Sequence, residues 1–177
     1  MILPKAKDAI HKAWLYRLLI ALIDSNEVQK SIYFKGGTCS TMLNYLDRFS
    51  IDLDFDLDSK VSKELLRPKL HNVFKKLNLK IKNESQKALQ FFLKYPSNAG
   101  ERNTIKLDII DVAISANQYA PQYLQEIDRY MNCQTIETMF ANKLVAVLDR
   151  FTKNKSIAGR DIYDIHYFFM KNLKYSE

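Results

Sequence analysis

Between Ser50 and Asp58 the chain alternates without a break, with Ile51, Leu53, Phe55 and Leu57 on one side and Asp52, Asp54, Asp56 and Asp58 on the other. A period of two is the signature of a β-strand, whose successive side chains point to opposite faces. One face must therefore enter a core, and the other carries a row of carboxylates. Neighbouring carboxylates repel each other by about 1 kcal/mol in bulk water and by several times that near a protein surface. Such a strand calls for a cation. Mg²⁺ (or Mn²⁺) suits it, because a hard ion takes oxygen ligands and is commonly held by one or two carboxylates together with substrate phosphates. Asp52 and Asp54 are the metal candidates, while Asp56 and Asp58, nearer the strand end, read as solvated or capping acids.

Upstream, Ile32-Tyr33-Phe34 reads as a short strand and Thr38 to Leu46 as a helix opened by a hydroxyl cap. Lys35, Gly36 and Gly37 lie at the junction. Glycine there lets backbone N–H groups approach a phosphate closely, and the start of a helix favours an anion. Only four glycines occur in the 177 residues, so two side by side are unlike filler. A second alternating run, Thr104 to Asp111, sets Lys106 and Asp108 against Ile105, Leu107 and Ile109. If it pairs beside the first, Asp108 joins Asp52 and Asp54, giving the three carboxylates that two-metal nucleotidyl transfer uses to hold the attacking and leaving oxygens.

Other classes are excluded or explain less of the sequence. An EF-hand counted from Asp52 would need glycine where Leu57 stands and glutamate where Lys63 stands. A glycosyltransferase-type Asp-x-Asp also binds a metal diphosphate but leaves Gly36-Gly37-Thr38 unexplained. His11, His71 and His166 are isolated and read as satisfied structural residues, and no Ser/His/Asp or Cys/His arrangement is visible. Cys39 and Cys133 fit neither zinc spacing nor a disulfide scaffold, so a cytoplasmic setting is expected. The longest apolar stretch, Leu18 to Ile23, is far below the roughly 20 residues that span a bilayer, and the N-terminal residues lack a signal-peptide layout. The net charge of +7, with lysines clustered at Lys75-Lys76, Lys80, Lys82, Lys153 and Lys155, fits a polyanionic partner or a solvated basic face.

With 47% hydrophobic residues and no Pro/Gly/Ser-rich linker, the chain is expected to form one α+β (α/β) domain, a small mixed sheet flanked by helices. A sheet-containing catalytic lobe is expected over about residues 1–115 and a helical lobe over about 116–177. An amphipathic helix is predicted from about Lys5 to Ser25, burying Ile10, Trp14, Leu18 and Leu22. A helix from Ser62 to Leu77 contains Pro68 as a kink or restart. Strands follow at Leu79–Asn83, Ala88–Tyr95 and Thr104–Val112, with a turn at Pro96–Gly100. Helices are predicted from Thr135 to Phe151, with Thr135 as cap, and from about Arg160 to Leu173.

Four stretches together carry a family resemblance: Lys35-Gly-Gly-Thr38, Arg48-Phe-Ser50-Ile-Asp52-Leu-Asp54, Lys143-Leu-Val-Ala-Val-Leu-Asp-Arg150, and Arg160-Asp161-Ile-Tyr-Asp164. Their order resembles the nucleotidyltransferase toxins of the AbiEii/AbiGii type, within the DNA polymerase β-like nucleotidyltransferase superfamily, over roughly residues 30 to 168. Thr38 stands where many nucleotidyltransferases carry serine, which keeps the hydroxyl. The resemblance implies transfer of a nucleotidyl group from GTP, CTP, ATP or UTP to an acceptor hydroxyl, with RNA, including the tRNA 3′ end, as acceptor. It implies a bacterial toxin–antitoxin or abortive-infection setting with a cognate antitoxin. Asp52, Asp54 and Asp108 would bind metal and act catalytically with Lys143 and Asp161. Lys35, Gly36, Gly37, Thr38, Arg48, Ser50, Lys143, Arg160 and Asp164 would bind nucleotide. Two rival readings are a nucleotide-binding relative without transfer activity and a basic nucleic-acid-binding module.

Overall fold

The computed structural model describes residues 8–98, 100–112 and 114–176. In chain order the elements are α1 (Ala9–Asp24), α2 (Asn26–Gln29), β1 (Ile32–Lys35), α3 (Gly36–Met42), β2 (Leu53–Leu57), α4 (Lys63–Lys76) and β3 (Lys80–Glu84). There follow β4 (Leu89–Lys94), β5 (Thr104–Ile110), β6 (Tyr119–Leu124), β7 (Arg129–Gln134), α5 (Ile136–Asn154) and α6 (Gly159–Met170). The fold is α+β. All seven strands form one mixed sheet in the order β3-β4-β5-β2-β1-β7-β6, with β2 parallel to β5, β1 parallel to β7, and the other neighbours antiparallel.

The alternation in the sequence becomes a two-faced sheet. Phe34, Leu53, Phe55, Phe91, Leu93, Leu107 and Ile109 point into one core, met by Leu15, Leu18, Leu19 and Leu22 of α1 and by Leu66, Leu70 and Phe74 of α4. Each large apolar side chain fully removed from water contributes about 1.5–3 kcal/mol, so this shared core is what anchors the polar face. A smaller core of Leu46, Phe140 and Phe168 joins α5 and α6 to the segment after α3.

Several expectations are corrected. The part of the first helix expected at Lys5 to Lys7 lies outside the described residues, as does Ala99 of the turn. Ile10 is 39% exposed, because the buried stripe of α1 runs through His11, Leu15, Leu18, Leu19 and Leu22 at helical spacing. α3 starts at Gly36 rather than Thr38. Gly36 takes φ +77°, and this left-handed residue lets β1 turn straight into the helix. α4 passes through Pro68 without a restart and is capped by the Ser62 hydroxyl, which accepts from the Glu64 N–H. The division expected near residue 115 falls within the sheet, since β6 and β7 follow it and the helical part begins at Ile136.

Candidate functional site

The glycine turn is enforced by what surrounds it. A Cβ on Gly36 would lie 2.6 Å from Asp54 Oδ2, and one on Gly37 would lie 2.9 Å from Ser50 Oγ and 3.1 Å from an Arg48 guanidinium nitrogen. A side chain would have to give way to admit a Cβ at either position, so the turn lies close against Asp54 of the acidic strand and against Ser50 and Arg48 before it. α3 also holds the approach to that strand. Thr38 does not cap the helix; its hydroxyl donates to the Asp52 carbonyl at 2.5 Å. Thr41 donates to the carbonyls of Arg48 (2.8 Å) and Gly37 (2.9 Å). From the other side His11 Nε2 meets the Ile51 carbonyl at 2.8 Å and Nδ1 meets the Tyr95 hydroxyl at 2.7 Å. Burial lowers the His11 pKa, keeping the imidazole neutral. His11 is the satisfied structural residue expected, and Thr41 is a support that the sequence reading missed.

Asp54 and Asp108 sit directly opposite each other in the β2–β5 ladder. Asp108 Oδ2 receives Lys106 Nζ at 2.6 Å and Gln90 Nε2 at 3.0 Å. Burial, then the charge of Asp52, raises the Asp54 pKa to about 6, with Lys106 opposing the rise and Asp108 adding to it. Burial and neighbouring carboxylates thus act together against a charged Asp54. Among the described residues no group of three His, Cys, Asp or Glu side chains forms a set able to hold a metal by itself. The donor chemistry fits a hard divalent cation in the other common mode, with Asp52 and Asp54 supplying carboxylate oxygens and substrate phosphates completing the shell.

Asp56 is not the solvated acid expected. It is 3% exposed and accepts from Lys35 Nζ (2.5 Å), the Tyr119 hydroxyl (2.8 Å) and Gln134 Nε2 (3.3 Å), partners drawn from β1, β6 and β7. Asp58 accepts from the Tyr33 hydroxyl at 2.6 Å and from the Lys60 N–H at 2.8 Å.

Beside the turn lies a cleft of about 430 Å³. Lys35, Gly36 and Gly37 line one side, and Asn142, Lys143 and Asp164 of the helices line the other. The two ends of the sequence pattern thus share one cavity. Lys143 Nζ is 3.2 Å from Asp161 and 3.1 Å from Asp164. Asp164, fully buried, also accepts both prongs of Arg48 at 2.5 and 2.7 Å, and Asp161 pairs with Arg150. The chain Arg48–Asp164–Lys143–Asp161–Arg150 ties the segment before β2 to α5 and α6. Thr38, Arg48, Ser50 and Asp161 do not line the cleft themselves, and Arg160 is exposed on α6 and takes no part in this network. Arg150, which closes the Lys143 stretch, was given no role from the sequence, although its seven-residue spacing from Lys143 puts the two on one helix face.

A phosphate-sized glycine turn abutting paired strand carboxylates, with a lysine facing it across a cleft, is the arrangement of a nucleotidyltransferase-type domain. The chain belongs to the AbiEii family, described as nucleotidyl transferase AbiEii toxin of type IV toxin–antitoxin systems, which matches residues 17–176. None of the curated proteins matches it. Among solved structures, JHP933 from Helicobacter pylori shares the fold with a TM-score of 0.64 and 22% identity, over 93% of this chain and 66% of that one. A candidate nucleotidyltransferase from H. pylori gives a TM-score of 0.62 and 22% identity over 93% of this chain and 69% of its own. The chain therefore spans about two thirds of the length of these structures. No helix among the described residues is long and apolar enough to cross a membrane.

Proposed function

We propose that the protein transfers a nucleotidyl group from a nucleoside triphosphate to a hydroxyl of RNA, including the 3′ end of tRNA, as the toxin of a toxin–antitoxin pair with a cognate antitoxin. The observation that carries this reading is that Gly36, which lines the same cleft as Lys143, lies against Asp54, itself opposite Asp108. In the reaction the acceptor oxygen forms a bond to the α-phosphorus and the bond from that phosphorus to the bridging oxygen of the β-phosphate breaks. Pyrophosphate leaves with the electron pair, and the hydroxyl proton passes to a carboxylate or to water.

Asp52 and Asp54 would hold Mg²⁺ or Mn²⁺ with the phosphates, and Asp108 stands on the acceptor side. When bound, the cation supplies charge neutralisation at the phosphates and at the attacking and leaving oxygens. Lys35 and Lys143 place ammonium charge on either side of the cleft, where a compact point charge suits a triphosphate. The turn N–H groups at Gly36 and Gly37 approach phosphate without side-chain interference. Arg48 and Ser50 act on the nucleotide through the loop they fix, and Asp161 and Asp164 through the Lys143 ammonium they orient. Arg160 is the weakest member of the nucleotide set, being exposed outside this network. Positioning and electrostatics supply the rate, with little covalent chemistry from the protein.

The test is incubation with each labelled triphosphate, Mg²⁺ and total RNA, alongside Asp54→Asn and a chelator control. Label should enter RNA from at least one triphosphate and be lost in both controls. No incorporation from any of the four triphosphates would remove the reading.

A further inference from the structure

The core-facing side of the sheet is packed, whereas on the side bearing Asp54 and Asp108 the residues Lys106 and Phe92 are half-buried and Lys94 and Lys80 are exposed to solvent. We infer that this open face of β3, β4 and β5 is the track along which the single-stranded 3′ end of an RNA reaches the carboxylates; the inference rests on the transferase reading above and adds the surface that receives the acceptor.

Register places the residues. Leu89, Phe91 and Leu93 are buried, so the alternate residues Gln90, Phe92 and Lys94 share the open face. The hydrogen bond from Gln90 to Asp108 fixes which face that is. Phe92 lies opposite Lys106, Lys94 opposite Thr104, and Lys80 opposite Lys94. Starting at Asp108, the face therefore runs through Lys106 and Phe92 to the pair Lys94 and Lys80. From Asp108 to the level of Lys94 is four residues of strand, about 13 Å, and Lys80 lies one strand further out, about 4.8 Å away.

Two lysines directly opposite on one face repel each other, and among the described residues neither Lys80 nor Lys94 has a carboxylate partner. Lysine on an edge strand guards against pairing with another chain, and that accounts for Lys80 on β3. It does not account for Lys94 on β4, while Lys106 on β5 is paired with Asp108 at the inner end of the face. Ammonium groups spaced along a groove with an aromatic face between them are how single strands are bound, the charge tracking the backbone and the ring stacking a base. The carboxylates at the inner end repel phosphate, so the terminus that arrives there carries a free hydroxyl. This gives the track a direction.

The test uses the full chain without nucleotide and a fluorescein-labelled single-stranded 12-mer oligoribonucleotide, read by anisotropy at two salt concentrations. Lys80→Glu with Lys94→Glu should raise Kd about tenfold or more and flatten the salt dependence. Phe92→Ala should raise Kd about tenfold with the salt slope unchanged. Reversal of equal charge at Lys153→Glu with Lys155→Glu, at the far end of α5, should change Kd by less than about twofold. Circular dichroism checks the fold of each variant. Triphosphate affinity, measured by calorimetry, should be the same in all of them. If wild type binds the oligomer through this face but binds no triphosphate, the transferase reading fails while the track stands. The track is overturned if wild type does not bind the oligomer, if the α5 control weakens binding as much as the sheet pair, or if polyglutamate or duplex RNA of equal length competes as well as the single strand.

Discussion

At the scale of single residues, Asp54 carries the clearest consequence. Its pKa of about 6 in the fold, against an ordinary value of 3.8, means that folding favours the protonated form. The contribution is fully present below pH 3.8 and is lost as pH rises through 6, leaving a cost of at most about 3 kcal/mol at pH 8. Asp54→Asn should therefore raise the thermal midpoint at pH 8 in chelator and have little effect at pH 4. Added Mg²⁺ should stabilise wild type more than the variant, which scanning calorimetry at both pH values would show. The glycines give a second test. Gly36 and Gly100 both have positive φ, but a Cβ on Gly100 meets open space whereas one on Gly36 strikes Asp54. Gly100→Ala should cost about 1 kcal/mol, the backbone share alone, and Gly36→Ala clearly more, measured by urea denaturation. Equal costs would show that Asp54 yields easily.

Among elements, the joint between the β2 approach and α5–α6 is held by the fully buried Asp164 between Arg48 and Lys143. Removing one member of a buried pair strands the other, so Asp164→Ala should cost about 3 kcal/mol or more, whereas exposed Arg160→Ala should change stability by no more than about 0.5 kcal/mol. Urea midpoints decide both. The same contrast shows what was legible in the sequence. Alternation at Ile51–Asp58 and over most of Thr104–Asp111 revealed both acidic strands, while their pairing, with Asp54 opposite Asp108, was only a condition until the sheet order supplied it. β6 and β7 left no such trace. Tyr119-Ala-Pro-Gln-Tyr-Leu and Arg129-Tyr-Met-Asn-Cys-Gln do not alternate cleanly, and Pro121 argues against a central strand. It is tolerated because β6 is an edge. With those strands unseen, the burial of Asp56 by Tyr119 and Gln134 was unreadable, as was the choice between Arg150 and Arg160 as the partner of Asp161. That choice depends on how α6 docks on α5, which no local pattern encodes.

For the whole molecule, two cores of unequal size predict unequal persistence. The sheet core gathers side chains from every strand except β3 together with α1 and α4, while the small core between α5 and α6 rests on Leu46, Phe140 and Phe168. Phe168→Ala should speed amide exchange in α5 and α6 and leave β2 and β5 protected, as exchange measured by mass spectrometry would register. Uniform acceleration would instead mean that the two parts open together. The position of β1 in the sheet has a consequence for biosynthesis. β1 emerges early from the ribosome, yet one of its two neighbours, β7, ends at Gln134, and the carboxylate that grips Arg48 comes 116 residues after it. A ribosome-bound chain that has already made its glycine turn and both acidic strands still lacks the far wall of the cleft. The order of translation thus leaves the cleft incomplete until α6 has been made.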